Sequence, residues 1–281
     1  MSGSLYVDVV GKGPPLVLLH GWAMHGGIFA PLVERLRDRY TLHVVDLPGH
    51  GNSRDCDVPL QLQSCVDAVA AVVPAAPWCG WSLGGLIALH AAATRPARVP
   101  ALAMLCASPR FVRGDDWKYG VSAEIFRDFA TGLRNDYRGT LDRFIALEAF
   151  GSDHAREEIR ELRAEVLARG EPDPAVLADG LELLERTDLR PLLPELAVPS
   201  LWVAGRRDRL VDPRAMQAAA VLAPNAAMHV VEHAGHAPFL THAADVGLAL
   251  DTFLRDARAG VVDDKHGPEF ALSLQADSTQ P

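Results

Sequence analysis

Short apolar runs alternate along this chain with stretches of helical periodicity, and nothing else in the sequence constrains the fold as tightly. The runs are Leu16–Leu19, Thr41–Val45, Trp78–Gly80, Ala101–Cys106, Leu201–Ala204 and His229–Val231. Between them, Ile28–Arg39, Leu60–Val73, Leu83–Thr94 and Pro213–Leu222 carry the helical period. Strands that read as near-continuous apolar runs are covered on both faces, the habit of parallel sheets flanked by helices. The expected class is α/β, a mainly parallel, doubly covered sheet. Leu86–Ala93 is apolar almost all round, as a helix buried against such a sheet must be.

The alternation lapses between about residues 110 and 190, where helical patterns and dense charge replace any convincing strand. This interval falls between two sheet strands and reads as an inserted helical lid, 110–190, within a core of 1–109 and 191–258. Residues 259–281 are polar with little periodicity and read as a disordered tail. The 281 residues, 49% hydrophobic, suffice for one sizeable core plus such an insertion.

Composition then removes whole classes of function. A net charge of −9 without a Lys/Arg block argues against a nucleic-acid footprint. No apolar window reaches the roughly eighteen residues of a membrane span, and Met1–Leu5 does not open a secretory leader. Cys56, Cys65, Cys79 and Cys106 lack CxxC or metal-ligand spacing and read as reduced thiols. A cytoplasmic monomer without a metal or organic cofactor is the expectation.

The chemistry lies in "GWSLGG", Gly80 to Gly85, at the junction of an apolar strand and an apolar helix. A serine hydroxyl is a poor nucleophile unless a base takes its proton and a third group orients that base. Gly-x-Ser-x-Gly between strand and helix is the nucleophile elbow, and its partners follow in the order acid, then histidine. "GRRDRLVD" supplies Asp208, with Asp212 as competitor, and "EHAGHAPF" supplies His236, with His233 as competitor. The expected triad is Ser82, Asp208 and His236. Two backbone N–H groups must meet the developing oxyanion. Leu83, after the nucleophile, supplies one, and Trp22 in "LLHGW" supplies the other.

These motifs, with "VVDLPGHGNS", resemble the α/β-hydrolase superfamily up to about Arg255, and serine at position 82 separates the chain from members with an aspartate nucleophile. "LHGWAMHGGIF", "WCGWSLGGLIAL", "DRFIALEAFGSDHAREEIR" and "DLRPLLPELAVP" are similar to the family of pimeloyl-[acyl-carrier protein] methyl ester carboxylesterases of biotin synthesis. That resemblance implies hydrolysis of a methyl ester at the far end of a seven-carbon acyl chain borne by an acyl carrier protein. It implies substrate contacts at Trp22, Ser82, Leu83 and Phe144, Ile145, Ala146, Leu147 and Glu148. It also implies that arginines at Arg143, Arg156 and Arg160, with Arg138 nearby, meet the acidic carrier. An apolar slot fits a methylene chain, and the lid carries Phe111, Trp117, Phe126, Phe129, Phe144 and Phe150, of which Phe144 and Phe111 are expected to face it.

Over His154–Arg169, Ala155, Ile159, Leu162 and Val166 form an apolar stripe. Arg156, Arg160 and Arg163 lie beside it, with Glu157, Glu158, Glu161 and Glu165 opposite. A solvated helix laced by ion pairs is the alternative to docking, but segregated signs favour docking. The competing functions are a broad short-chain carboxylesterase, a hydrolase of carbon–carbon bonds, and a ligand receptor with little activity.

Overall fold

The computed structural model describes residues 4–150 and 152–260. The expected tail of 259–281 therefore lies almost wholly outside the described residues. Strands β1 (Val7–Gly11), β2 (Pro15–Leu19), β3 (Thr41–Val45), β4 (Trp78–Trp81), β5 (Leu102–Leu105), β6 (Ser200–Gly205) and β7 (Ala226–Val231) form one sheet in the order β1-β3-β2-β4-β5-β6-β7. All neighbours are parallel except β1, which pairs antiparallel with β3, Val7 opposite Val45. β2, β4, β5 and β6 are buried almost throughout, as strands covered on both faces must be.

Helices α1 (Ala30–Leu36), α2 (Leu62–Val72) and α3 (Leu83–Thr94) connect the early strands. α3 packs on β4 and β5, and its Leu86, Ile87 and Leu89 are wholly buried, each worth roughly 2 kcal/mol. A short 3-10 turn, Gly26–Phe29, precedes α1 and takes the first residues of the stretch that reads as a single helix from Ile28. Pro31 at the start of α1 explains the break, since proline suits a first helical turn and not an interior.

Between β5 and β6 stand α4 (Ala123–Asn135), α5 (Tyr137–Glu148), α6 (Ala155–Ala168) and α7 (Pro174–Arg186). Ser122, Asp136 and Asp173 cap α4, α5 and α7, each side chain accepting a first-turn amide. Several polar contacts bind this insertion to the sheet domain, three of them near its β2 and β3 ends. Trp22 Nε1 donates to Leu177 O (2.8 Å), His25 Nε2 lies 2.7 Å from Glu165 O, and Arg169 pairs with Asp46. After β6 come α8 (Pro213–Leu222), α9 (Pro238–Thr241) and α10 (Ala243–Ala259), α10 packing on α1. Among the described residues no helix is long and apolar enough to cross a membrane.

The acidic side of α6 departs from its sequence reading. Glu158 is wholly buried beside Leu162 and Val166, accepting from Ser152 Oγ (2.7 Å) and Thr241 Oγ1 (3.1 Å), and Glu165 is half-buried against His25. The inward face of α6 thus carries carboxyls as well as hydrocarbon.

Candidate active site

β4 ends at Trp81 and α3 begins at Leu83, so Ser82 alone turns the chain. It does so at φ +53°, ψ −118°, a strained conformation for a residue with a Cβ. The turn needs bare backbone on either side. A Cβ on Gly80 would strike the carbonyl of Gly84, and one on Gly84 would strike the carbonyls of Leu19 and His20. Ser82 N donates to Leu105 O at 3.1 Å, which anchors the turn to the sheet. The hydroxyl stands at the head of α3 with 1% of the residue exposed.

Asp208 follows β6 and His236 follows β7, so parallel neighbours deliver both to the carboxyl end of the sheet. Asp208 Oδ1 accepts from the amides of Leu210 and Val211, each at 2.9 Å. Its Oδ2 lies 2.7 Å from His236 Nδ1, with both side chains wholly buried. The carboxylate therefore holds the proton on Nδ1 and leaves Nε2 as an acceptor. His236 Nε2 and Ser82 Oγ are both buried without a hydrogen-bond partner among the described residues. The competitors lie elsewhere: Asp212 caps α8 and pairs with Arg214, and His233 is exposed beside Asp153.

Cys106 completes a compact group, its ligand atom and those of Asp208 and His236 falling within 4.8 Å of one another. Burial and the Asp208 carboxylate push the Cys106 thiol far up, so it stays protonated and is a poor nucleophile or metal ligand. Asp208 is already committed to two amides and an imidazole, which suits an oriented acid–base pair.

Trp22 N and Leu83 N have no acceptor among the described residues. His20 explains how the first is aimed. The amide of Leu47 donates to His20 Nε2 (2.9 Å), so Nδ1 carries the hydrogen and donates to Gly21 O at 2.8 Å. In a trans peptide the carbonyl and the next N–H point opposite ways, so a pinned Gly21 carbonyl aims Trp22 N–H away from His20. Burial, with His50 alongside, pushes the His20 imidazole down to about 3, and it remains neutral.

The insertion covers this site with aromatic rings. Phe144 meets Trp22 edge-on at 4.5 Å between centroids and Phe129 at 5.6 Å. Ile145 and Glu148 also turn inward, and Leu147 is half-buried. Ala146 is exposed on the outer side of α5, so the contiguous stretch Phe144–Glu148 does not face the site as a unit; helical period decides. Phe111 and Phe126 are buried, whereas Phe150 is 62% exposed and lies outside any slot.

Glu148 carries both carboxyl oxygens buried and without a partner among the described residues, while its carbonyl accepts from His236 N at 3.2 Å. Burial, with Asp208 and Glu158 nearby, pushes its carboxyl well above the usual range, so it is held neutral.

The four arginines differ. Arg138 pairs with Glu171 (2.8 Å), and Arg143 lies 2.6 Å from Thr140 Oγ1 and 3.7 Å from Asp136. Arg156 and Arg160 are exposed and make no ion pair among the described residues. In the sequence Trp81 and Arg169 carry no sign of a place at the site, Glu158 reads as solvated, and His20 reads only as part of the turn before Trp22. Only His20 had a readable signal, its place before the glycine of the oxyanion turn.

The family described as alpha/beta hydrolase fold matches residues 14–243. Over 250 residues, 89% of this chain, the sequence is 58% identical to the pimeloyl-[acyl-carrier protein] methyl ester esterase of Stenotrophomonas maltophilia (strain K279a), covering 96% of that protein. It is 60% identical over 250 residues to the protein of the same name from Xanthomonas oryzae pv. oryzae (strain MAFF 311018), covering 98% of it. Among solved structures, an esterase from Exiguobacterium antarcticum superposes with a TM-score of 0.80 at 22% identity, covering 89% of this chain and 95% of that one, a likeness of fold alone.

Proposed function

The chain belongs to the alpha/beta hydrolase family, and on that premise we propose that it is a serine carboxylesterase that hydrolyses the methyl ester of a pimeloyl-[acyl-carrier protein] methyl ester to pimeloyl-[acyl-carrier protein] and methanol, in biotin synthesis. Ser82 Oγ attacks the ester carbonyl as His236 Nε2 takes its proton, and the carbonyl oxygen becomes an oxyanion facing Trp22 N–H and Leu83 N–H. Collapse of the intermediate expels the methoxy group, which takes the proton from His236 and leaves as methanol. Water then attacks the acyl-enzyme, giving one proton to His236, which returns it to Ser82 Oγ as the C–O bond to serine breaks; the product carboxylic acid departs and loses its remaining proton to solvent. Asp208 stabilises the imidazolium in both halves.

The observation that carries the chemistry is the buried 2.7 Å contact between His236 Nδ1 and Asp208 Oδ2 behind a strained serine. The substrate reading is supported by the names of the relatives at 58–60% identity. The helical insertion then acts as a lid whose outer face receives the carrier. Arg156 and Arg160, exposed and without acidic partners among the described residues, suit an acidic protein, and the inward turn of Glu158 leaves less acid beside them.

The test compares carrier-linked pimeloyl methyl ester with free methyl esters, following product by mass. Loss of one methylene-equivalent mass with the thioester intact is expected. Arg156→Glu with Arg160→Glu should raise KM about ten-fold or more on the carrier-linked substrate only, and added salt should erode the wild-type preference. Equal rates on short free esters would instead support a broad carboxylesterase.

A further inference from the structure

We infer that Trp81 is a positioning residue that registers the His236 base against the Ser82 nucleophile and the oxyanion turn. The inference rests on the roles proposed above for Ser82 and His236. Trp81 is the last residue of β4, wholly buried, and joined directly to Ser82. Its indole Nε1 donates to the carbonyl of His236 at 2.8 Å, across 155 residues of sequence. The same ring closes on the third part of the site: a Cβ on Gly21 would lie 3.0 and 3.1 Å from its Cε3 and Cζ3, and 3.2 Å from Ser82 Cβ. Phe239 holds the ring edge-on from another side, at 5.2 Å and 80°. One side chain therefore touches the nucleophile turn, the oxyanion turn and the loop of the base.

The bond to His236 matters because of where it acts. Asp208 grips the imidazole at Nδ1, and one contact at the end of a side chain leaves the ring free to pivot about it. The backbone beneath must fix the other end. His236 N–H is held by Glu148 O at 3.2 Å and His236 C=O by the Trp81 indole, so the peptide groups on both sides of its Cα are secured. The indole is itself locked by the sheet, where Trp81 pairs with Leu105, and by its neighbours. Nε2 thereby inherits its reach toward Ser82 Oγ from the strand that carries Ser82.

Trp81→Phe keeps an aromatic ring and removes the N–H. Assayed with p-nitrophenyl acetate, kcat should fall about ten- to a hundred-fold, the scale of a small misplacement of a catalytic group, with KM within about two-fold. Replacement of Trp81 by benzothienylalanine, which puts sulfur where the indole N–H stands and retains ring shape, should give the same split without leaving space in the core. An unchanged kcat in the folded isostere would overturn the inference. A raised KM at constant kcat would make Trp81 a substrate contact and overturn it too, and so would failure of both variants to fold, which would make the bond purely structural. Ser82→Ala in the same assay separates the premises: if that variant keeps its activity, the nucleophile is misassigned, whatever Trp81 does.

Discussion

Arg169 Nη1 lies 3.0 and 2.9 Å from the two carboxylate oxygens of Asp46, a wholly buried side chain. Burial works against ionisation there, but the amides of Asn52 and Gly26 and the Arg169 guanidinium hold the Asp46 carboxyl below its usual range. Asp46 follows β3, and Arg169 follows α6, so the pair ties the insertion to the sheet. Arg169→Met should cost about 2 kcal/mol by stranding a buried charge that keeps only its amide donors. Urea unfolding of variant and parent measures it. A loss within error would show that the two amides suffice.

Asp208 and Asp212 stand four residues apart but face different tasks. Asp208→Asn should lower kcat by roughly four orders of magnitude, because the amide can present its N–H to His236 and favour the wrong tautomer. Asp212→Asn should leave kcat nearly unchanged, since Asp212 caps α8. Steady-state rates on a soluble ester decide between them, and the reverse ranking would reassign the acid.

His20 and His50 pack together with centroids 5.2 Å apart, and both are kept neutral. Burial lowers them to about 3 and about 4 respectively, from an ordinary 6.5. Between pH 6.5 and those values the folded chain binds fewer protons than the unfolded chain, so stability must fall as acid is added through that window. The two together should contribute on the order of a few kcal/mol of acid sensitivity. His50→Gln should flatten the loss between pH 7 and pH 5 in denaturant titrations. An unaltered slope would place the sensitivity elsewhere.

Glu148 gives the opposite sign. Its folded carboxyl holds a proton more tightly than in the unfolded chain, so the stability it contributes is complete below pH 4.5 and is lost as pH rises. Asp208 and Glu158 are the acids that face it. Glu148→Gln stays neutral at every pH, and its melting temperature relative to the parent should climb by a few degrees between pH 5 and pH 8. A constant difference across that range would mean that Glu148 does not titrate there.

What could be read in the sequence was local. The elbow at Ser82, the acid after β6 and the histidine after β7 each sit beside their own strand, and the boundaries of α3 and α8 match the periodicity residue for residue. β1 was illegible because it is an edge strand: Asp8 interrupts its apolar run, and Val9 is 56% exposed. Glu158 reads as solvated because carboxyls almost always are; only the docking of α6 against Ser152 and Thr241 inverts that. The partners of Trp81 and Asp46 lie 155 and 123 residues away, beyond any periodic signal.

The bond from His236 N to Glu148 O joins two backbones. On the proposed function, side chains of α5 that face the acyl group can therefore change without removing either atom of that bond, provided the buried packing that seats the helix is kept. The helix must only stop at the same place with a carbonyl to spare. On that proposal, acyl preference would follow residue identity, and the seat of His236 would follow the place where one helix ends. A graft that shortens α5 by a single turn would forfeit the second while appearing to alter only the first.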